Sequence, residues 1–159
     1  MNTIDLNKTL ECLDHFVGTF PKDQIPLVTF RPCSYVINLD DSSNDGSHWI
    51  ALFVNEENEA IYFDSFGRAP IACCLEIVNI LRNLAGENWI YNDKRLQSIE
   101  SDACGFYCTL FILILGGGAN LREFQKLFSQ DYKLNDISVK KIVKSYINKV
   151  YSNEHKHMK

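Results

Sequence analysis

Residues 100–118, ESDACGFYCTLFILILGGG, hold the most apolar run of the chain and open it with Cys104-Gly105 and then Cys108. A helix needed only for packing does equally well with leucine or alanine at those positions. The run from Phe106 to Leu115 falls short of the roughly 18 apolar residues of a membrane span and has the length of a buried core helix. Three consecutive glycines, 116–118, halt it. A cysteine at the start of such a helix lies beside unpaired backbone N–H groups and the positive end of the dipole, which favour thiolate over thiol. Gly105 removes a side chain where a substrate must approach. Taken alone, Cys104 is more simply a buried packing residue. The rest of the chain changes that balance.

Outward from this helix, Leu6, Leu10, Leu13 and Phe16 recur at helical spacing and predict a first helix over 6–16, broken by GTFPKDQIP. Three runs rich in β-branched and aromatic residues predict strands: SYVINLD (34–40), HWIALFV (48–54) and AIYFDSF (60–66). DSSNDGS and NEENE supply the turns between them, so the strands should be consecutive and antiparallel. A helix over 72–84 stops at Gly86, NWIYND (88–93) adds a short strand, and further helices are expected near 121–129 and 137–151. That order predicts an α+β fold with a mostly antiparallel central sheet packed with helices. No repeat or linker divides the chain, so 1–159 is read as a single domain.

The net charge of −4 and pI near 5.5 argue against a protein devoted to nucleic-acid phosphates. The lysines of the basic C-terminal segment, Lys140, Lys141, Lys144 and Lys149, read as the wet side of an amphipathic helix. With no secretory signal pattern in the opening residues, an intracellular protein is expected, and its six cysteines as free thiols, catalysts or metal ligands. Cys73-Cys74 reads as helix packing.

The groups able to assist Cys104 are spread along the sequence. His48 begins a strand next to a turn, where its ring can face a cleft and take a proton from a thiol. Asp64 ends the next strand-like run, and in two antiparallel strands joined by a turn the start of one lies near the end of the other. A carboxylate there would orient the imidazole and favour its cation. Gln97, in the irregular segment KRLQSIESDA, can donate its amide to a developing oxyanion, with the backbone N–H of Cys104 as second donor. Singly, His48 reads as a strand-edge histidine, Asp64 as a turn residue and Gln97 as a loop residue.

In order, the chain reads His48-Trp49, Asp64, Gln97, Cys104-Gly105-Phe106-Tyr107-Cys108. That order resembles the adenovirus-type cysteine proteases and, more distantly, the Ulp1-type proteases that remove ubiquitin-like modifiers, over residues 12 to about 116. FVGTFPKDQIP and the second cysteine four residues past the first favour the adenoviral branch, whereas aspartate at position 64 matches the Ulp1 branch. The resemblance implies a papain-like fold in circularly permuted order, with Cys104 as nucleophile, His48 as base and acid, Asp64 as orienter and Gln97 as oxyanion donor. Trp49 would roof a narrow channel, with Gly105 beside it, for substrates cut at Gly-Gly or Gly-X. It also implies a monomer without cofactor or metal, acting on virion precursor polypeptides in the host cell and packaged in the virion. Adenoviral enzymes take an activating peptide through a disulfide and are stimulated by DNA. The absence of a cysteine between Cys74 and Cys104 speaks against a covalently held peptide, while an activating peptide held otherwise and stimulation by DNA, set against the acidic pI, stay open. Three other readings remain: a modifier-specific protease, a zinc-binding interaction module built on Cys104, Cys108, His48 and Asp64, and an inactive protease fold retained for binding.

Overall fold

A computed structural model describes residues 1–43 and 47–157; the expected turn DSSNDGS lies partly outside the described residues. The elements, in chain order, are α1 (Thr3–Leu10), β1 (Phe16–Pro21), β2 (Cys33–Asn38), β3 (Trp49–Val54), β4 (Ala60–Phe63), α2 (Pro70–Cys73), α3 (Leu75–Ala85), β5 (Trp89–Tyr91), α4 (Cys104–Gly116), α5 (Leu121–Gln125) and α6 (Tyr132–His157). The five strands form one sheet in sequence order. β2, β3 and β4 are the expected antiparallel meander, while β1 and β5 join its two edges in parallel. The sheet is therefore antiparallel at its centre and parallel at its margins. The parallel β4–β5 pair is bridged by α2 and α3, the long crossover that parallel neighbours require.

Two local departures from the sequence reading have identifiable causes. The first helix stops at Leu10, and Phe16, its expected last apolar contact, begins β1 and pairs with Ser34. The helix expected over 72–84 is two pieces, because Cys74 is extended at φ −171° and ψ 157°. Its end at Gly86, with φ 62°, is as expected.

Alternation along the strands divides the interior into two cores. Val36, Ala51, Phe53, Ile61 and Phe63 face α4, with α1, α5 and α6 completing that side. Tyr35, Ile37, Ile50, Leu52 and Tyr62 face the opposite way, onto Ile77, Leu81 and Leu84 of α3. A sheet covered on both faces needs apolar residues at every position, which is why its strands read as continuous runs. α4 is enclosed as well: it lies between the sheet and α6, and nine of its thirteen residues are buried. A helix apolar on all sides is stable only in such a setting.

Candidate active site

Three elements converge where α4 begins. Beyond the last β3–β4 pair, Ala51 with Phe63, the same register sets Asp64 level with Ile50, diagonal to His48 across the ribbon. There His48 Nε2 lies 2.8 Å from Asp64 Oδ1, and the same imidazole interacts with the Cys104 side chain. Cys104 is the first residue of α4, and no side chain caps this N-terminus. The backbone N–H groups of Trp49 and Gly105 favour the ionised form of Cys104 instead. The sequence-predicted His48, Asp64 and Cys104 are thus brought together, His48 being hydrogen-bonded to Asp64 and interacting with Cys104.

Burial disfavours charge on all three groups, yet their mutual bonds prevail. The Cys104 thiol lies below its ordinary range despite burial, through the hydrogen bond of His48 and the N–H of Trp49. His48 is pushed up to about 9 against the opposing effect of burial, by its hydrogen bonds with Asp64 and Cys104. Asp64, wholly buried, stays below the usual carboxylate range against the cost of desolvation, chiefly through His48. The arrangement favours a thiolate beside an imidazolium, a pair that titrates jointly.

Asp64 also has partners that the sequence did not disclose. Oδ1 accepts the N–H of Phe66 at 2.9 Å, and Oδ2 accepts Arg68 Nε at 2.7 Å. Cys73 donates to Oδ2 at 3.6 Å while its sulfur accepts the Tyr62 hydroxyl at 2.9 Å, so Cys73 is support for the carboxylate rather than simple helix packing. The Phe66 ring stacks on His48 with centroids 5.0 Å apart. In sequence the only sign of these contacts is the DSFGR turn, with Arg68 four residues past Asp64.

Gln97 is buried, and both ends of its amide are held: Oε1 accepts the Ser65 hydroxyl at 2.6 Å and Nε2 donates to Ser101 O at 2.7 Å. One amide hydrogen is thereby used, and among the described residues no acceptor takes the other. The loop carrying Gln97 is fastened by α6. Asp136 accepts the Ser98 N–H and the Tyr107 hydroxyl, the latter at 2.8 Å, while Asn135 donates to Leu96 O at 3.0 Å. Lys140 reaches Asp102 of the same loop at 2.8 Å.

An open cleft of about 520 Å³ runs past Cys104 and His48, with Trp49, Phe66, Arg68 and Ile99 among its walls. Gly105 has a packing reason. A Cβ there would stand 3.2 Å from Met1 Cβ and 3.5 Å from Trp49 Cδ1, so the missing side chain lets α4 approach the Trp49 wall. Cys108 lies one turn deeper and is fully buried, its thiol pushed well above the ordinary range by desolvation. Among the described residues no three His, Cys, Asp or Glu side chains are grouped to hold a metal ion, and no helix is long and apolar enough to cross a membrane.

The Ulp1 protease family, C-terminal catalytic domain, matches residues 35–157. A thiol protease of Acanthamoeba polyphaga mimivirus is 25% identical in an alignment that covers 87% of this chain and 54% of the relative. The chain thus spans about half the length of that curated relative. Among solved structures, the ASFV protease superposes with a TM-score of 0.57 at 16% identity, over 87% of this chain and 65% of the other. That likeness concerns the fold, which is α+β and papain-like. The family match falls on the Ulp1 side of the resemblance, the side that Asp64 also favours.

Proposed function

The chain belongs to the Ulp1 protease family and carries its C-terminal catalytic domain, that of a cysteine peptidase; on this premise we propose an endopeptidase with Cys104 as nucleophile, His48 as base and acid, and Asp64 as orienter. The observation that supports it best is the buried chain Asp64–His48–Cys104 opening on a cleft at the end of a core helix. In the proposed cycle the Cys104 thiolate attacks the scissile carbonyl carbon. The oxyanion is met by the free amide hydrogen of Gln97 and the backbone N–H of Cys104. As the C–N bond breaks, the imidazolium of His48 gives its proton to the departing nitrogen, leaving a thioester. Water, deprotonated by His48, then attacks the thioester, releasing a carboxylic acid and restoring the thiol.

Gly-Gly or Gly-X sites are proposed because Trp49 walls the cleft beside the nucleophile, and residues without bulky side chains pass such a wall most easily. The exposed Ile99 offers an apolar contact for an aliphatic residue upstream. Likeness to a mimivirus thiol protease and the ASFV protease supports virion precursor polypeptides as substrates, with action in the infected cell and packaging in the virion. The working form is proposed as a monomer, and any peptide activator as held without a disulfide. The family match also supports a second substrate class, ubiquitin-like modifiers joined through a terminal Gly-Gly.

The test is cleavage of a peptide containing Gly-Gly, run beside a ubiquitin-like conjugate. Cys104→Ala should abolish turnover while leaving the melting temperature unchanged, and Cys108→Ala should keep much of it. Near neutral pH an alkylating reagent should label Cys104 ahead of the other cysteines. Undiminished cleavage by Cys104→Ala would refute the proposal. Preference for the conjugate over the peptide would assign the second substrate class.

A further inference from the structure

We propose that Arg68 gives the enzyme a preference for an acidic residue just beyond the scissile bond, on the leaving-group side; this rests on the peptidase reading above. Arg68 is bound to Asp64 only through Nε, at 2.7 Å. Its guanidinium lies over the Phe66 ring at 5.5 Å, its side chain is 44% exposed, and it lines the cleft. Among the described residues none accepts a hydrogen bond from its terminal Nη groups. An arginine placed only to support Asp64 has no need to keep its outer edge open to the cleft. A guanidinium with a free edge is a good receptor for a carboxylate.

Its position also indicates which part of the substrate it meets. His48 gives its proton to the departing nitrogen, so the segment after the scissile bond passes on the His48 side. The sequence of contacts there runs from Cys104 to His48, from His48 to the stacked Phe66, and from Phe66 to Arg68. Ser101 and the exposed Asp102 also line the cleft, but the Asp102 carboxylate is paired with Lys140 at 2.8 Å. An acidic side chain in the cleft is therefore drawn toward the open edge of Arg68.

The experiment uses Gly-Gly peptides that differ only in Asp against Asn at the first or second residue after the cleaved bond. The wild-type enzyme should show a kcat/KM about five- to tenfold higher for Asp at one of these positions, a preference that shrinks as salt is raised. Arg68→Gln should slow both peptides, because Asp64 loses a partner, yet the ratio between them should fall below about twofold. Arg68→Lys, which retains charge, should keep part of the preference. A wild-type enzyme indifferent to Asp or Asn would overturn the assignment, as would a preference that survives Arg68→Gln. If the wild type cleaved none of the peptides, the peptidase reading would fail and this proposal with it; cleavage without preference removes only Arg68.

Discussion

Asp64 uses both carboxylate oxygens, with His48 and the Phe66 N–H on one and Arg68 and Cys73 on the other. With its lone pairs so occupied, the carboxylate holds the imidazole by Nε2 in a fixed orientation. A pH profile should report this. The proposed reactive pair requires Cys104 ionised, with a pKa below the ordinary thiol range, and His48 protonated, with a pKa raised to about 9. Activity should therefore rise as pH passes the depressed thiol value and fall as it passes about 9, giving a bell in kcat/KM. A single rising limb with its midpoint at an ordinary thiol pKa would contradict the ion pair. Asp64→Asn should lower kcat by about a hundredfold or more and move the falling limb to lower pH, since the imidazolium loses its anion. His48, Asp64 and Cys104 were legible in sequence because each stands at a recognisable end: a strand start, a strand finish, a helix start. Phe66 and Arg68 were not, because a turn gives no periodicity from which side-chain direction can be read.

The 96–102 loop owes its shape to side chains on α4 and α6. Asp136 and Asn135 lie in the first turns of α6, far from Gln97 in sequence, and Asp136 joins the loop backbone to Tyr107 of α4. Asp136→Ala should leave the Ser98 N–H without its acceptor and the Tyr107 hydroxyl with Leu96 O alone, costing about 1–3 kcal/mol of stability. If Gln97 serves the oxyanion, kcat should drop roughly tenfold with KM within about twofold, since the loss falls on the transition state. Tyr107→Phe should lose part of the same kcat. Equal damage to KM and kcat in both variants would point to general loosening instead. At this scale the sequence reading was uneven for physical reasons. β2, β3 and β4 announced themselves through dense β-branched and aromatic residues, whereas β1 was concealed because Phe16 continues the spacing of Leu6, Leu10 and Leu13. The break at Cys74 is equally silent in sequence, for nothing in Ala72-Cys73-Cys74-Leu75 forbids a continuous helix.

Across the molecule, one aromatic cluster links the parts that react. Phe63, immediately before Asp64, stacks on Phe111 of α4 at 4.7 Å, and Phe124 of α5 meets both edge-on at 5.3 and 5.5 Å. The spacing between the strand end bearing Asp64 and the helix bearing Cys104 is thus set by ring packing in the core. Phe111→Ala should cost about 3–5 kcal/mol and lower Tm by roughly 10 °C. It should also reduce the selectivity of alkylation at Cys104, although Phe111 lies two turns away; a lowered Tm with unchanged selectivity would show that the cluster serves stability alone. The α+β class and the central meander were readable at this scale. The parallel margins were not, since strand direction at an edge depends on where a connection returns. The N-terminal elements carry a different consequence. α1 and β1 lie outside the matched region 35–157, yet Leu6 and Met1 pack where a Gly105 side chain would go, and Met1 borders the cleft. A segment not bound by the family's pattern forms part of the wall beside the nucleophile. Related enzymes can therefore diverge in what they admit by changing this segment while inheriting the reacting groups intact.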